Sequence, residues 1–250
     1  MIIGLRGGHS KNCVGAVGIV NEYEQMQEFF KHISRILTSY GHTVIDCNSN
    51  GCTANAELSE GAEKANNANV DLFISLHMNA FNGTANGTEA LVSSENSKAL
   101  SIASKLCENF SQLGFRNRGV KFQKLYEMNQ VNAPNIIFEI CFCDSQKDIS
   151  IYNQYSWDEL AYRVCNAIDS NILIELDIDT KGYVVTNYLP PDSANYDGVN
   201  INNVLKYFDG ITCYARGNNK GIWIETQYLP LSKCNELKNA LGTVFYEIKK

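Results

Sequence analysis

The 250-residue sequence lacks most of the features that would place it outside the ordinary globular class. No window approaches the ~20 consecutive apolar residues needed to cross a bilayer, so no membrane anchor is expected. The opening residues, MIIGLRGGHS, show no basic start, apolar core or small-residue cleavage site, so no secretory signal is expected. The nine cysteines include no CxxC pair, which disfavours a cysteine-bound zinc knuckle. Their odd number without an export signal predicts reduced thiols in the cytosol where the chain is made, most of them acting as small buried apolar residues. Long basic runs are missing and the formal charge is −6, which disfavours nucleic acid as the main partner. Histidine is scarce: His9, His32, His42 and His77 are the whole set.

What is present reads as a globular protein, 44% hydrophobic and 19% charged, long enough for one large and one small domain. Ile2 to Arg6 is a predicted strand, broken by Gly7-Gly8-His9. Asn21 followed by Glu24 fits a capping box opening a helix to about Tyr40, which leaves Glu22 in the first turn. Thr43 to Cys47 is a second strand, Asn48 to Ala56 a polar loop, and Glu57 to Asn67 a helix. The run VDLFISLHMNA, Val70 to Ala80, predicts a buried strand ending at His77 with a loop after it. A strand over Thr88 to Val92, a helix over Ser97 to Leu113 and a strand over Asn135 to Cys141 follow. The pattern gives no assignment for Arg116 to Asn132. Ser156 with Glu159 predicts a second capping box, opening a helix to about Leu176. Alternating strands and helices imply an α/β domain, a mainly parallel sheet flanked by helices.

After a short polar linker, Asp177 to Gly182, the pattern changes. Tyr183 to Leu189 is a strand, Pro190-Pro191 opens a polar loop, and Ile201 to Phe208 is helical. Ile211 to Ala215 and Gly221 to Gln227 predict a hairpin around Gly217-Asn218-Asn219. Ser232 is expected to cap a helix to about Leu241, with Val244 to Ile248 as the last strand. The order βαββαβ predicts a small α+β, ferredoxin-like domain. The expected division is therefore 1–176, linker 177–182, and 183–250.

His32 lies within a helix and His42 at a strand entry, where structural roles suffice. His9 and His77 each end a strand at the carboxyl edge of the sheet, where open α/β sheets gather ligands. Glu22 and Glu139 are expected at the same edge. Zinc in a hydrolytic site takes three nitrogen or oxygen ligands and leaves one position for water. His9, Glu22 and His77 supply such a set, with Glu139 as a carboxylate free to move a proton. Spacing alone leaves this beside a plainer reading of buried polar residues. It also leaves Glu24 as a rival to Glu22, although the capping box engages Glu24.

Met1 to Leu176 resembles the zinc-dependent N-acetylmuramoyl-L-alanine amidases of the type-3 family. The resemblance is carried by Gly7-Gly8-His9 with Gly15-Ala16, by Asn21-Glu22, by Leu72 through Ala80, and by Phe138-Glu139-Ile140-Cys141-Phe142 with Asp148. It implies zinc held by His9, Glu22 and His77, with Glu139 as general base and then acid. The reaction implied is hydrolysis of the amide between N-acetylmuramic acid and L-alanine in peptidoglycan, with Asn79 orienting substrate or capping a loop. The sequence departs from the family in a short loop before Glu57, a missing arginine ahead of Ala65-Asn66, and Cys141 where glycine is usual.

Tyr183 to Lys250 holds ten aromatics in 68 residues, against 16 in the preceding 182. Aromatic faces suit sugar rings and core packing alike. The segments Gly182 to Thr186, Leu205 to Phe208 and Gly221 to Thr226 resemble the small cell-wall-binding domain of phage endolysins acting on clostridial hosts. This implies a wall polymer as partner and an enzyme made in the host cytoplasm that reaches the wall once the membrane opens. Seven basic against six acidic residues and no RNP-like motif disfavour RNA binding. Exposed edge strands there could pair two chains. The alternatives are a bacterial autolysin of the same activity, a zinc peptidase cutting stem peptides, and a wall-binding protein on a degenerate catalytic fold.

Overall fold

A computed structural model describes residues 1–174, 181–189 and 200–249. By compactness the chain divides into two units, Met1–Ile149 with Leu160–Ile174, and Ser150–Glu159 with Glu175–Lys250.

The first unit is built on β1 (Ile2–Gly7), whose alternating side chains separate two helical layers. Gly7 lies against the backbone of Met26 in α1 (Glu22–Ser39), while its neighbour Arg6 pairs with carboxylates on the opposite face. Then come β2 (Thr43–Asp46), α2 (Ala54–Asn67), β3 (Leu72–Asn79), β4 (Thr88–Val92), α3 (Leu100–Ser111), β5 (Asn117–Phe122), α4 (Tyr126–Gln130), β6 (Asn135–Phe142), α5 (Gln146–Tyr152) and α6 (Trp157–Ile168). The sheet order is β2-β1-β3-β6-β4-β5. β1, β2, β3 and β6 run parallel, whereas β4 pairs antiparallel with β6 and parallel with β5. The architecture is the mainly parallel α/β sheet the sequence implies.

Several boundaries differ from the sequence reading. β3 continues past His77 to Asn79, because His77 and Asn79 face the same side as Phe73 and Ser75 and find partners there. α2 begins at Ala54, capped by Thr53, whose hydroxyl accepts from the Ala56 N–H at 3.2 Å. The segment without an assignment supplies β5 and α4, and α5 was not anticipated. The Ser156–Glu159 capping box is present in both directions, but α6 ends at Ile168 instead of near Leu176, where Asp169 turns back on the Asn171 N–H at 2.9 Å. All nine cysteines are free thiols and six are buried.

In the second unit β7 (Lys181–Thr186), α7 (Asn202–Leu205), β8 (Cys213–Asn218), β9 (Gly221–Thr226), β10 (Leu229–Pro230), α8 (Leu231–Leu241) and β11 (Phe245–Lys249) follow in order. β9 lies between β7 and β8, and β11 pairs with β7 on its other side, all antiparallel. This is the arrangement of a split βαβ unit. Val184, Phe208, Ile224, Cys234 and Leu237 form its core. The hairpin closes on Asn218↔Gly221, so its turn is Asn219-Lys220 instead of Gly217-Asn218-Asn219. α8 opens at Leu231 with Pro230 at the cap position, two residues ahead of the expected cap Ser232. Lys181 and Gly182 belong to β7 and not to a linker. Residues 177–180, the Pro190-Pro191 loop and Tyr196 lie outside the described residues.

No helix among the described residues is long and apolar enough to cross a membrane.

Candidate active site

Three separate stretches converge where β1 and β3 end. Gly8 donates to the Leu76 carbonyl at 2.7 Å, which ties the loop after β1 to β3. His9 follows in a left-handed conformation, φ 70°, which turns its side chain back over the sheet edge. Asn21 caps α1 by accepting from the Glu24 N–H at 3.3 Å, so Glu22 occupies the first helical position and Glu24 stays exposed. Glu22 is buried. Its Oε1 lies 2.9 Å from His77 Nδ1 and its Oε2 lies 3.1 Å from His9 Nε2. The same carboxylate accepts from the backbone N–H groups of Ala16 and Met78 at 2.8 and 3.0 Å. The His9 and His77 rings stand nearly perpendicular, 4.9 Å between centres.

The cluster leaves no room for a larger backbone neighbour. A Cβ at Gly8 would lie 2.3 Å from the His77 ring. One at Gly15, which is at φ +70°, would lie 2.3 Å from the His9 ring and 2.5 Å from Glu22 Oε2. Both glycines are therefore needed for close approach.

Burial alone would raise the Glu22 pKa, but hydrogen bonds from His77 and His9 outweigh it and hold the carboxylate well below its usual range. Burial opposes charge on His77, yet the bond to Glu22 and the nearby carboxylates raise its pKa. Two imidazoles and one carboxylate, with ligating atoms within 4.8 Å of one another, are a donor set that fits a zinc-type cation. A second grouping, His9 with Cys13 and Glu57, draws on the same imidazole.

Glu139 lies directly beside His77 in the β3–β6 register and opposite Glu89 in β4, so the three side chains share one face of the sheet. Burial pushes the Glu139 pKa up to about 7, with His77 opposing and Glu22 and Glu89 adding to the rise. Its Oε2 is buried without a hydrogen-bond partner. Asn79 donates to Glu89 Oε1 at 2.9 Å, and Arg118 Nε donates to Glu89 Oε2 at 2.7 Å. Asp148 has a structural place: its Oδ2 accepts from the N–H groups of Gly87 and Phe142 at 2.8 and 2.9 Å, joining the start of β4 to the end of β6. His42 pairs with Asp169 at 3.1 Å and His32 stands 3.6 Å from Glu28, neither of them within the cluster.

Sequence reasoning missed the charges around this cluster: Arg6, Glu57, Glu127 and Glu89, all buried. A charged residue inside the apolar strand IIGLRG was the one available signal.

Residues 3–170 match the family described as N-acetylmuramoyl-L-alanine amidase. The chain belongs to that family. An uncharacterized 38.4 kDa protein of Clostridium perfringens is 34% identical over 185 residues, covering 72% of this chain and 54% of that one. The N-acetylmuramoyl-L-alanine amidase LytC of Bacillus subtilis is 31% identical over 62% of this chain and 32% of its own length. The chain thus spans about half or less of these curated relatives. Among solved structures, the catalytic domain of the CD27L endolysin targeting Clostridia difficile aligns with TM-score 0.63 at 29% identity, covering 67% of this chain and 96% of that one. The catalytic domain of the amidase CwlV from Bacillus (Paenibacillus) polymyxa aligns at 21% identity with TM-score 0.60, over 68% of this chain and 97% of that one, and speaks for the fold alone.

Proposed function

We propose that the chain is a zinc-dependent endolysin, hydrolysing the amide between the lactyl group of N-acetylmuramic acid and L-alanine. The observation that carries this reading is the convergence of His9, Glu22 and His77 on one point, with Glu139 on the neighbouring strand. The family match to residues 3–170 and the likeness to a clostridial endolysin domain support it.

His9, Glu22 and His77 would hold the zinc, whose bound form supplies Lewis acidity to the scissile carbonyl and to water. Glu139 takes a proton from the attacking water and gives it to the departing amine of L-alanine. Burial raises its pKa, to about 7 without metal, and a bound cation draws it down again, which suits a group that must be a base first and an acid second. The residue is half-buried, with its Oε2 shielded from solvent. Asn79, held by Glu89, which lies opposite Glu139 in the sheet, would orient the substrate amide.

The second unit, on this reading, binds a wall polymer. Tyr188 and Trp223 meet edge to face at 5.8 Å and, with Tyr246, line a cavity of about 320 Å³ that suits a sugar ring.

Glu139→Ala tests the chemistry. The variant should fold and bind one zinc per chain yet fail to clear purified cell walls. Retained activity refutes the assignment.

A further inference from the structure

Arg6 is fully buried, three residues ahead of His9. Its guanidinium forms an ion pair with Glu57 and a second with Glu127 Oε1 at 2.9 Å. Nη1 also donates to the Glu57 carbonyl at 3.3 Å and Nη2 to the His9 carbonyl at 3.5 Å. Gly61 leaves the space, since a Cβ there would meet Arg6 Nη1 at 3.0 Å and Cδ at 3.4 Å. Glu57 has a second face. While Oε2 takes the arginine, Oε1 stands 3.6 Å from His9 Nδ1, on the side of the ring away from Glu22. His9 Nδ1 is buried and has no hydrogen-bond partner.

A neutral imidazole has one N–H and one lone pair. The nitrogen that donates decides which nitrogen can bind a cation, and metal-bound histidines generally give the other N–H to a carboxylate or carbonyl. We propose that Glu57 is a positioning residue for the metal site. Its Oε1 takes the Nδ1–H of His9 and leaves the Nε2 lone pair free toward Glu22 and His77, while Arg6 holds Glu57 in that orientation. The inference rests on the metal reading above. At 3.6 Å the two atoms are in ion-pair range, and the hydrogen bond requires them to approach to about 3.2 Å or less. Arginine suits the post because its planar fork serves two carboxylates at once, which a lysine ammonium does less well.

Glu127 provides the control, because it pairs with the same arginine without facing His9. Zinc affinity is measured by competition with a chromophoric chelator for the wild type, Glu57→Gln and Glu127→Gln. Glu57→Gln should weaken zinc binding by about 10–100-fold, and Glu127→Gln, which removes a nearby charge but no partner of the His9 ring, should weaken it by clearly less although both variants melt lower. Equal weakening in the two, or none in Glu57→Gln, overturns the proposal. A wild type that binds no zinc overturns the metal reading itself, and this proposal with it, before any variant is made. Should Glu57→Gln not fold, nitrogen NMR of zinc-loaded wild type reads the His9 tautomer. A proton on Nδ1 is expected, and a proton on Nε2 overturns the proposal.

Discussion

Replacing Gly15 by alanine should separate the geometry of the ligand cluster from general stability. The added methyl would meet His9 Cδ2 at 2.3 Å and Nε2 at 2.4 Å, where ordinary contact begins near 3.4 Å. The His9 ring must therefore move by about 1 Å, and Glu22 with it, a displacement that can cost on the order of 100-fold in catalysis. The left-handed backbone adds roughly 1–2 kcal/mol of destabilisation, or about 2–4 °C of melting temperature per kcal/mol for a chain of this size. Gly41 is the matched control: at φ +85° it carries a similar backbone penalty, but nothing lies within 4 Å of its Cβ position. Both alanine variants should melt lower, Gly15→Ala at least as much as Gly41→Ala because it adds the clash to the shared backbone penalty. Gly15→Ala alone should lose about two orders of magnitude in kcat/KM on purified peptidoglycan, with weaker zinc binding. Wild-type turnover and zinc affinity in Gly15→Ala would refute the claim that His9 and Glu22 are held at the limit of close packing.

The other predictions concern two carboxylates and one aromatic residue. Glu139 must be ionised to accept a proton, so kcat/KM should fall as pH drops through its pKa. A bound dication lowers that value, placing the acidic limb of the pH–rate profile below about 7. Because its folded-state pKa lies above the unfolded value of about 4.5, ionisation of Glu139 costs metal-free protein stability as pH rises between the two. Metal-free Glu139→Gln should thus be more stable than wild type at pH 8 and not at pH 4, as measured by denaturant titration. Asp148→Ala leaves the Gly87 and Phe142 N–H groups buried without their acceptor and should lower unfolding free energy by about 1–3 kcal/mol for each. If the second unit holds a wall sugar, Trp223→Ala in the full chain should reduce co-sedimentation with cell walls while turnover of soluble muropeptides stays unchanged.

The sheet was legible because its central strands are apolar runs of strand length. LFISL in β3 and NIIF in β6 need no partner to be recognised, and each is followed at once by a site residue, His77 and Glu139, which the pleat directs to a common face. Glu22 was legible through its cap, since Asn21 and Glu24 fix where α1 begins and so what its first residue can reach. β5 was not, because NRGVKF is half-buried beside β4 and its apolar period is broken by Arg118, Gly119 and Lys121. The ion cluster was illegible for a different reason. Arg6, Glu57 and Glu127 are separated by 51 and 121 positions along the chain from the arginine, and nothing local tells a carboxylate that will meet a buried guanidinium from one that will meet water. The arginine missing from α2 was a departure in sequence, whereas in the structure Gly61 stands against the guanidinium of Arg6 from the sheet.

The central claim is tested most directly by the products of purified peptidoglycan after digestion, identified by mass spectrometry with and without a chelator. The account predicts intact stem peptides with a free L-alanine amino terminus and glycan strands with a free lactyl carboxyl group, lost on chelation and restored by zinc. Cuts within the stem peptide, cuts between sugars, or digestion indifferent to the chelator would contradict it.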